Sequence, residues 1–173
     1  MPLPSTMTPI ATTTLTTNTS TITFSSIPQT YTDIVAVIVA RVDKVSEDYF
    51  SMRLNGDTGS NYSFTHLSGN GSTIGSGRFL NLSQGIIGWT GANTSSVYSI
   101  TTCNIMNYAN ATTYKTFITR SDAPNNVAYT EAGLWRSTSA ISSISFASWG
   151  AGSFGSSNMI TGTTITLYGI KAA

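Results

Sequence analysis

Residues 34–40 read Ile-Val-Ala-Val-Ile-Val-Ala, an unbroken apolar run dominated by β-branched side chains. Branching at Cβ restricts rotamers in a helix and packs well on a pleated surface, so the run favours a strand. It is also far too short to cross a bilayer as a helix. Successive side chains of an extended chain point to opposite sides: Ile34, Ala36, Ile38 and Ala40 fall on one face, Val35, Val37 and Val39 on the other. With both faces apolar, residues 31–42 are expected to form a central strand covered on both sides.

A central strand needs neighbours, and the same period of two recurs along the chain. Phe50, Met52 and Leu54 alternate with Ser51 and Arg53, and Tyr62 and Phe64 resume the pattern after a turn at Asn55-Gly56-Asp57-Thr58-Gly59-Ser60. Ile22 and Phe24 mark a short strand over 21–24. Further strands are expected over 97–106, 113–120, 127–136, 140–148 and 163–171, parted by turn-forming stretches. Residues 72–96 are rich in Gly and Ser but hold Ile86, Ile87 and Trp89, which predicts a long loop with one buried strand. Pro2, Pro4 and Pro9 among threonines disfavour helix over 1–20 and predict an extended arm or a late-ordering strand. The expected organisation is therefore an N-terminal arm over 1–20 and a β-sandwich domain over 21–173. Eight or nine short strands without a helical segment predict an all-β fold, an antiparallel β-sandwich with the jelly roll as its expected form and an immunoglobulin-like sandwich as the rival.

Charge narrows the partners. Charged residues make up 9% of the chain, and 8 Lys+Arg against 7 Asp+Glu leave a formal net charge of +1. The basic residues are scattered singly from Arg41 to Lys171, whereas a nucleic-acid grip needs them clustered to neutralise phosphates, so no nucleic-acid partner is expected. The first residues lack the basic segment and apolar run of a secretory signal, which predicts synthesis in the cytoplasm and no membrane partner. Cys103 is the lone cysteine, expected as a buried small hydrophobe. The excess of Ser and Thr could mark a disordered stalk, but apolar residues recur at strand spacing almost to the C-terminus, which favours a packed core.

Residues able to carry chemistry are few. His66 is the one histidine and would have to serve as base for any serine nucleophile. No Gly-x-Ser-x-Gly elbow accompanies it, and a plain strand or loop residue is the expectation. Asp33, Asp43, Glu47, Asp48, Asp57, Asp122 and Glu131 are the carboxylates; a pair such as Asp57 and Glu131 could cut a glycoside if they faced one another across a cleft. Most fall in turns or at predicted strand ends, where carboxylates cap backbone amides. Asn55, Asp57 and Asn61 sketch a sparse calcium loop without the later bidentate Glu, and read better as a turn. Six Asn-x-Ser/Thr triplets, at Asn18, Asn61, Asn70, Asn81, Asn93 and Asn110, read as products of a Ser/Thr/Asn-rich composition. The Gly-rich stretch 69–77 lacks the Lys-Ser/Thr ending of a phosphate loop. Tyr31, Tyr62, Tyr98, Tyr108, Tyr114 and Tyr129, with Trp89, Trp135 and Trp149, are expected mainly in the core or at a subunit contact, with a sugar-contact surface as the alternative. No catalytic, cofactor-binding or metal-ligating residue is assigned, no cofactor is expected, and no binding residue stands out.

Three stretches carry a resemblance: Ile22-Thr-Phe-Ser-Ser-Ile-Pro-Gln-Thr-Tyr31-Thr-Asp, Leu54-Asn-Gly-Asp-Thr-Gly-Ser-Asn-Tyr62, and Trp135-Arg-Ser-Thr-Ser-Ala-Ile-Ser-Ser-Ile144 with Leu167-Tyr-Gly-Ile-Lys171. Together and in this order they resemble small virion structural proteins of tailed bacteriophages, including cyanophages. The resemblance implies a non-enzymatic β-sandwich subunit on the outside of a phage particle: a capsid decoration or cement protein bound to the major capsid protein, or a head- or tail-fibre module that recognises a host receptor or glycan. A short chain without a heptad or triple-β repeat points toward decoration. A homo-oligomer is expected, with a trimer as the guess, because a sandwich must cover its sheet edges.

Overall fold

The computed structural model describes residues 6–46, 48–92, 96–123, 127–150 and 152–171. Thirteen strands follow one another: β1 (Met7–Thr14), β2 (Thr21–Phe24), β3 (Asp33–Ala40), β4 (Asp48–Leu54), β5 (Tyr62–Gly69), β6 (Ile74–Leu82), β7 (Gly85–Thr90), β8 (Ser99–Ile105), β9 (Lys115–Ala123), β10 (Val127–Trp135), β11 (Ile144–Gly150), β12 (Ser153–Phe154) and β13 (Thr164–Ile170). They form an antiparallel β-sandwich, all β among the described residues. The larger sheet has the order β1-β13-β3-β8-β9-β10-β5-β6; the smaller runs β12-β11-β4-β7, with β2 paired to β11. The chain crosses between sheets at β1 to β2, β2 to β3, β3 to β4, β4 to β5, β6 to β7, β7 to β8, β10 to β11 and β12 to β13, a repeated alternation consistent with a jelly roll.

The alternation read from sequence decides what is buried. Ile34, Ala36, Ile38 and Ala40 of β3 point inward with Cys103, Ile105, Phe117, Ile165 and Leu167 of the larger sheet. Facing them are Phe50, Met52 and Leu54 of β4 with Ile144 and Phe146 of β11. One side chain in two is withdrawn from water along each central strand, and this burial is the main force holding the sheets together. Trp135 and Tyr62 stack at 6.3 Å between ring centroids, and the buried Tyr62 hydroxyl accepts the Leu54 N–H at 2.9 Å, joining the two sheets at one end.

Three expectations are corrected or refined. Val35, Val37 and Val39 are half-buried and line the outside of the larger sheet, so β3 is covered by the second sheet on one face only. Residues 72–96 hold two strands, β6 and β7, where one was expected; β6 is exposed on most of both sides and pairs in a hairpin with β5, so it carries no clean hydrophobic alternation. Within 1–20, residues 7–14 are extended as β1 and pair with β13 at the rim of the larger sheet, tied by Thr12 to Thr166 and Thr14 to Thr164 hydroxyl bonds.

Two glycines show what the tight geometry demands. Gly56, at φ +67°, follows Asn55 at φ +52° in the two-residue turn after β4, the left-handed pair that Asn-Gly adopts readily. At Gly133 the demand is space: a Cβ there would lie 2.1 Å from the ring of fully buried Phe117. Gly133→Ala is expected to destabilise the fold by about 2–3 kcal/mol through overpacking, read as a lowered midpoint in urea unfolding with an unchanged slope. A midpoint equal to that of the parent would mean that the Phe117 ring can move aside.

Candidate functional site

The interior changes character across the larger sheet. One inward-facing row in register runs Leu167, Ala36, Cys103, Thr119, Glu131, His66 from β13 to β5. Its first half is apolar and its second half polar. Glu131 is 3% exposed, and both carboxyl oxygens are buried without a well-formed hydrogen bond. The Tyr129 hydroxyl, beside Glu131, and Thr119 Oγ1 and His66 Nδ1 are likewise buried without a well-formed hydrogen bond, and the rings of His66 and Tyr129 stack at 5.0 Å. β7 lies over β9 and β10, closing this region from the opposite sheet. Its Gly88 sits where a Cβ would meet Ser121, and the Trp89 N–H donates to Ser121 Oγ at 3.0 Å.

Burial dictates the protonation of this cluster. It pushes the Glu131 carboxyl well above the usual carboxylate range, with the nearby Tyr129 hydroxyl acting weakly the other way. Burial, reinforced by Glu131, raises Tyr129 and Cys103, and burial lowers His66. Each shift thus favours the uncharged form of its group: carboxylic acid, phenol, thiol and neutral imidazole.

The residues singled out in the sequence are now placed. His66 lies on the inward side of β5 between Phe64, Phe79 and Tyr129, and no serine hydroxyl bonds it among the described residues. Asp57 sits in the turn after β4 and accepts from the Gly59 N–H at 2.8 Å, Asn61 Nδ2 at 2.8 Å and Trp135 Nε1 at 2.6 Å. Burial alone would raise its pKa, but these three donors outweigh that and lower it. Asp57 and Glu131 do not face one another: Asp57 is anchored at Trp135, four residues along β10 from Glu131, or roughly 13 Å at the rise of a strand. Asn55 turns away from Asp57, its Oδ1 accepting from the Ser142 and Ser143 amides and its Nδ2 donating to the Ala140 carbonyl. Asn70 and Asn110 cap the residues that follow them, and Asn18 and Asn81 bond Thr161 and Arg136. Asn93 and Glu47 lie outside the described residues. Of the aromatics, Tyr62, Tyr108, Tyr129 and Trp135 are core residues. Tyr49, Trp89 and Trp149 pack together at 4.5 and 5.6 Å and are half-buried.

A second feature is the outer face of the larger sheet. Three shallow hollows of about 520, 440 and 400 Å³ lie on it side by side, the first two meeting at Ile118 and the first and third at Arg120. Ile100 (52% exposed), Ile118 (48%), Leu67 (57%) and Leu80 (50%) stand along their rims. Thr102, Asn104, Thr130 and Thr65 fill the spaces between them, and Arg78, Arg120 and Asp122 are the charges lining the hollows. Asp122 accepts the Ile100 N–H at 2.6 Å. Half-exposed aliphatic side chains gathered on one open face, with hydroxyl and amide groups between them, suit a protein contact surface.

Sequence reasoning missed the buried acid and the buried Lys115, whose Nζ donates to the carbonyls of Thr113 and Thr138. The signal for Glu131 was present: it shares its phase on the predicted strand 127–136 with Tyr129 and Trp135. No family model matches the chain, and no curated protein matches it.

The raised carboxyl predicts a pH dependence. A carboxyl whose folded pKa is raised binds its proton more tightly in the native state. Its contribution is complete below the unfolded value of 4.5 and is lost as pH rises through the folded value. His66 works oppositely: its contribution is complete above 6.5 and is lost as pH falls through its lowered folded value. Thermal melts of Glu131→Gln from pH 4.5 up to neutrality should lack the decline that Glu131 gives the parent, while Cys103 and Tyr129, raised by burial, act in alkali in both proteins. Equal slopes for the two would mean that Glu131 is ionised in the native state.

Proposed function

We propose that this chain is a non-catalytic structural subunit of a bacteriophage particle, a capsid decoration protein that binds the major capsid protein on the outer surface of the shell and stabilises it as a homo-oligomer. The observation that carries the reading is the broad, weakly charged outer face of the larger sheet, with Ile100, Ile118, Leu67 and Leu80 half exposed. Such a face adheres by shape and buried area. The resemblance of the three sequence stretches to small virion proteins supplies the biological setting. Subunits settled on the shell would oppose the outward pressure of packaged DNA, and no reaction is part of this role.

One observation favours the fibre-module reading as a second possibility: the half-buried Tyr49, Trp89 and Trp149 cluster beside the stacked Arg53 and Phe154 pair could contact a host glycan.

Cryo-electron microscopy of purified particles separates the two. Decoration predicts copies in numbers comparable with the capsid protein, at capsomer junctions. Density confined to the tail or a few vertices would favour the fibre reading, and absence from the particle would sink both. Decoration through low-charge contacts should also survive raised salt, and release of the subunit by moderate salt alone would count against it.

A further inference from the structure

We propose that Asn70 is a self-modification site: the Gly71 main-chain nitrogen closes on the Asn70 side chain, ammonia leaves, and water opens the resulting succinimide to aspartate or isoaspartate. The reaction needs no enzyme and is independent of the contact role described above.

The chain holds two Asn-Gly pairs, Asn55-Gly56 and Asn70-Gly71. The glycine matters because a Cβ on the following residue crowds the attacking nitrogen, and glycine has none. Gly71, at φ +85°, has open space where a Cβ would stand, and its amide donates to no group among the described residues. Asn70 is exposed at the tip of the β5–β6 hairpin. Its Oδ1 accepts from the Ser72 amide at 3.0 Å and the Thr73 amide at 2.7 Å. Two N–H groups aimed at a carbonyl oxygen draw charge from its carbon and stabilise the oxyanion that forms when a nucleophile adds. That nucleophile is tethered to the carbon by the chain itself, so the attack is intramolecular.

Two other asparagines separate the causes. Asn110 repeats the turn, its Oδ1 accepting from the Thr112 and Thr113 amides at 2.7 and 2.8 Å. Its successor is Ala111, whose methyl group hinders the attack. Asn55 has the glycine but is tied to the segment before β11. Its Oδ1 accepts from the Ser142 and Ser143 amides, and Nδ2, the leaving group, donates to the Ala140 carbonyl at 2.8 Å. Turning its Cγ toward Gly56 would break these tertiary bonds. Of the two Asn-Gly pairs, only Asn70-Gly71 has its asparagine side chain anchored within its own turn.

In the first step the bond between the Gly71 nitrogen and Asn70 Cγ forms and the Cγ–Nδ2 bond breaks. The proton lost from the Gly71 nitrogen leaves with Nδ2 as ammonia. Water then adds across one imide bond, and nothing is oxidised or reduced. Cleavage at Cγ leaves aspartate in an ordinary main chain; cleavage at the main-chain carbonyl routes the chain through Cβ as isoaspartate. The aspartate keeps the two amide bonds, now charge-assisted. Formal net charge falls from +1 to zero, 8 Lys+Arg then standing against 7 Asp+Glu and the new carboxylate.

Incubation of the purified full chain in mildly alkaline water enriched in oxygen-18 tests this, followed by peptic digestion in ordinary water and peptide mass spectrometry. Heavy oxygen marks only carboxyls made during the incubation. Label should enter at Asn70 about tenfold faster or more than at Asn55 and at Asn110, with isoaspartate among the products. Isoelectric focusing should show an acidic band growing in step, and Asn70→Ser should lack it. In urea Asn55 should rise to match Asn70, because both then precede glycine without tertiary bonds, while Asn110 stays slow. Three results would overturn the proposal: label at Asn70 no faster than at Asn55 in the folded chain, label no faster than at Asn110, or an Asn55 that stays slow in urea.

Discussion

Burial of every second side chain between two twisted sheets is the interaction on which the rest of this structure depends. β3 sits near the middle of the larger sheet, flanked by β13 and β8, and its small inward Ala36 and Ala40 alternate with Ile34 and Ile38. The larger Phe50, Met52 and Phe146 of the opposite sheet pack into this surface. Large against small is how two faces interdigitate at native density. Strand crossings, the turn at Asn55-Gly56 and the closing of β7 over β9 and β10 all serve to bring these faces into contact.

The apolar half of the interior and the polar half are held by different physics. Around β3, β8 and β13 the side chains are hydrocarbon and the stabilisation is non-directional. Around β5, β9 and β10, Glu131, Tyr129, Thr119 and His66 are withdrawn from water without full hydrogen bonding. Such groups cost stability unless they are neutral. The direction of each pKa shift is toward the neutral form, which is the form that lowers that cost. The polar half also lies directly beneath the exposed patch, because Arg120 and Asp122 alternate along β9 with Thr119 and Ser121. A single strand thus carries both features on its opposite sides.

Much of the fold was legible because alternation is a local property. The strands around 21–24, 49–54, 97–106, 127–136 and 163–171 announce themselves by side-chain period and by the turns between them. β6 escaped because a rim strand wetted on both sides has no period to read, and its Gly75 and Gly77 resemble a loop. The covering of β3 was overestimated for the opposite reason: its apolar outer side is real, but no second layer covers it among the described residues. Of the polar sites, Asn70 and Asn110 could be read as turn residues since their bonds are to near neighbours, whereas Asn55 bonds Ala140, Ser142 and Ser143 and Asp57 gains its third donor from Trp135, all far along the chain.

The sequence by itself determined the class of structure: side-chain period, β-branching and turn chemistry act over a few residues and need no knowledge of the partner strand. It also determined the shortage of charge, which composition states outright. Only the tertiary structure decided which side of each strand meets the other sheet, that Glu131 is sealed inside while Asp122 on the neighbouring strand is not, and that Ile100, Ile118, Leu67 and Leu80 gather on one open face. Those outcomes depend on strand order and register across residues far apart in the chain, and a shift of one residue would exchange inside for outside.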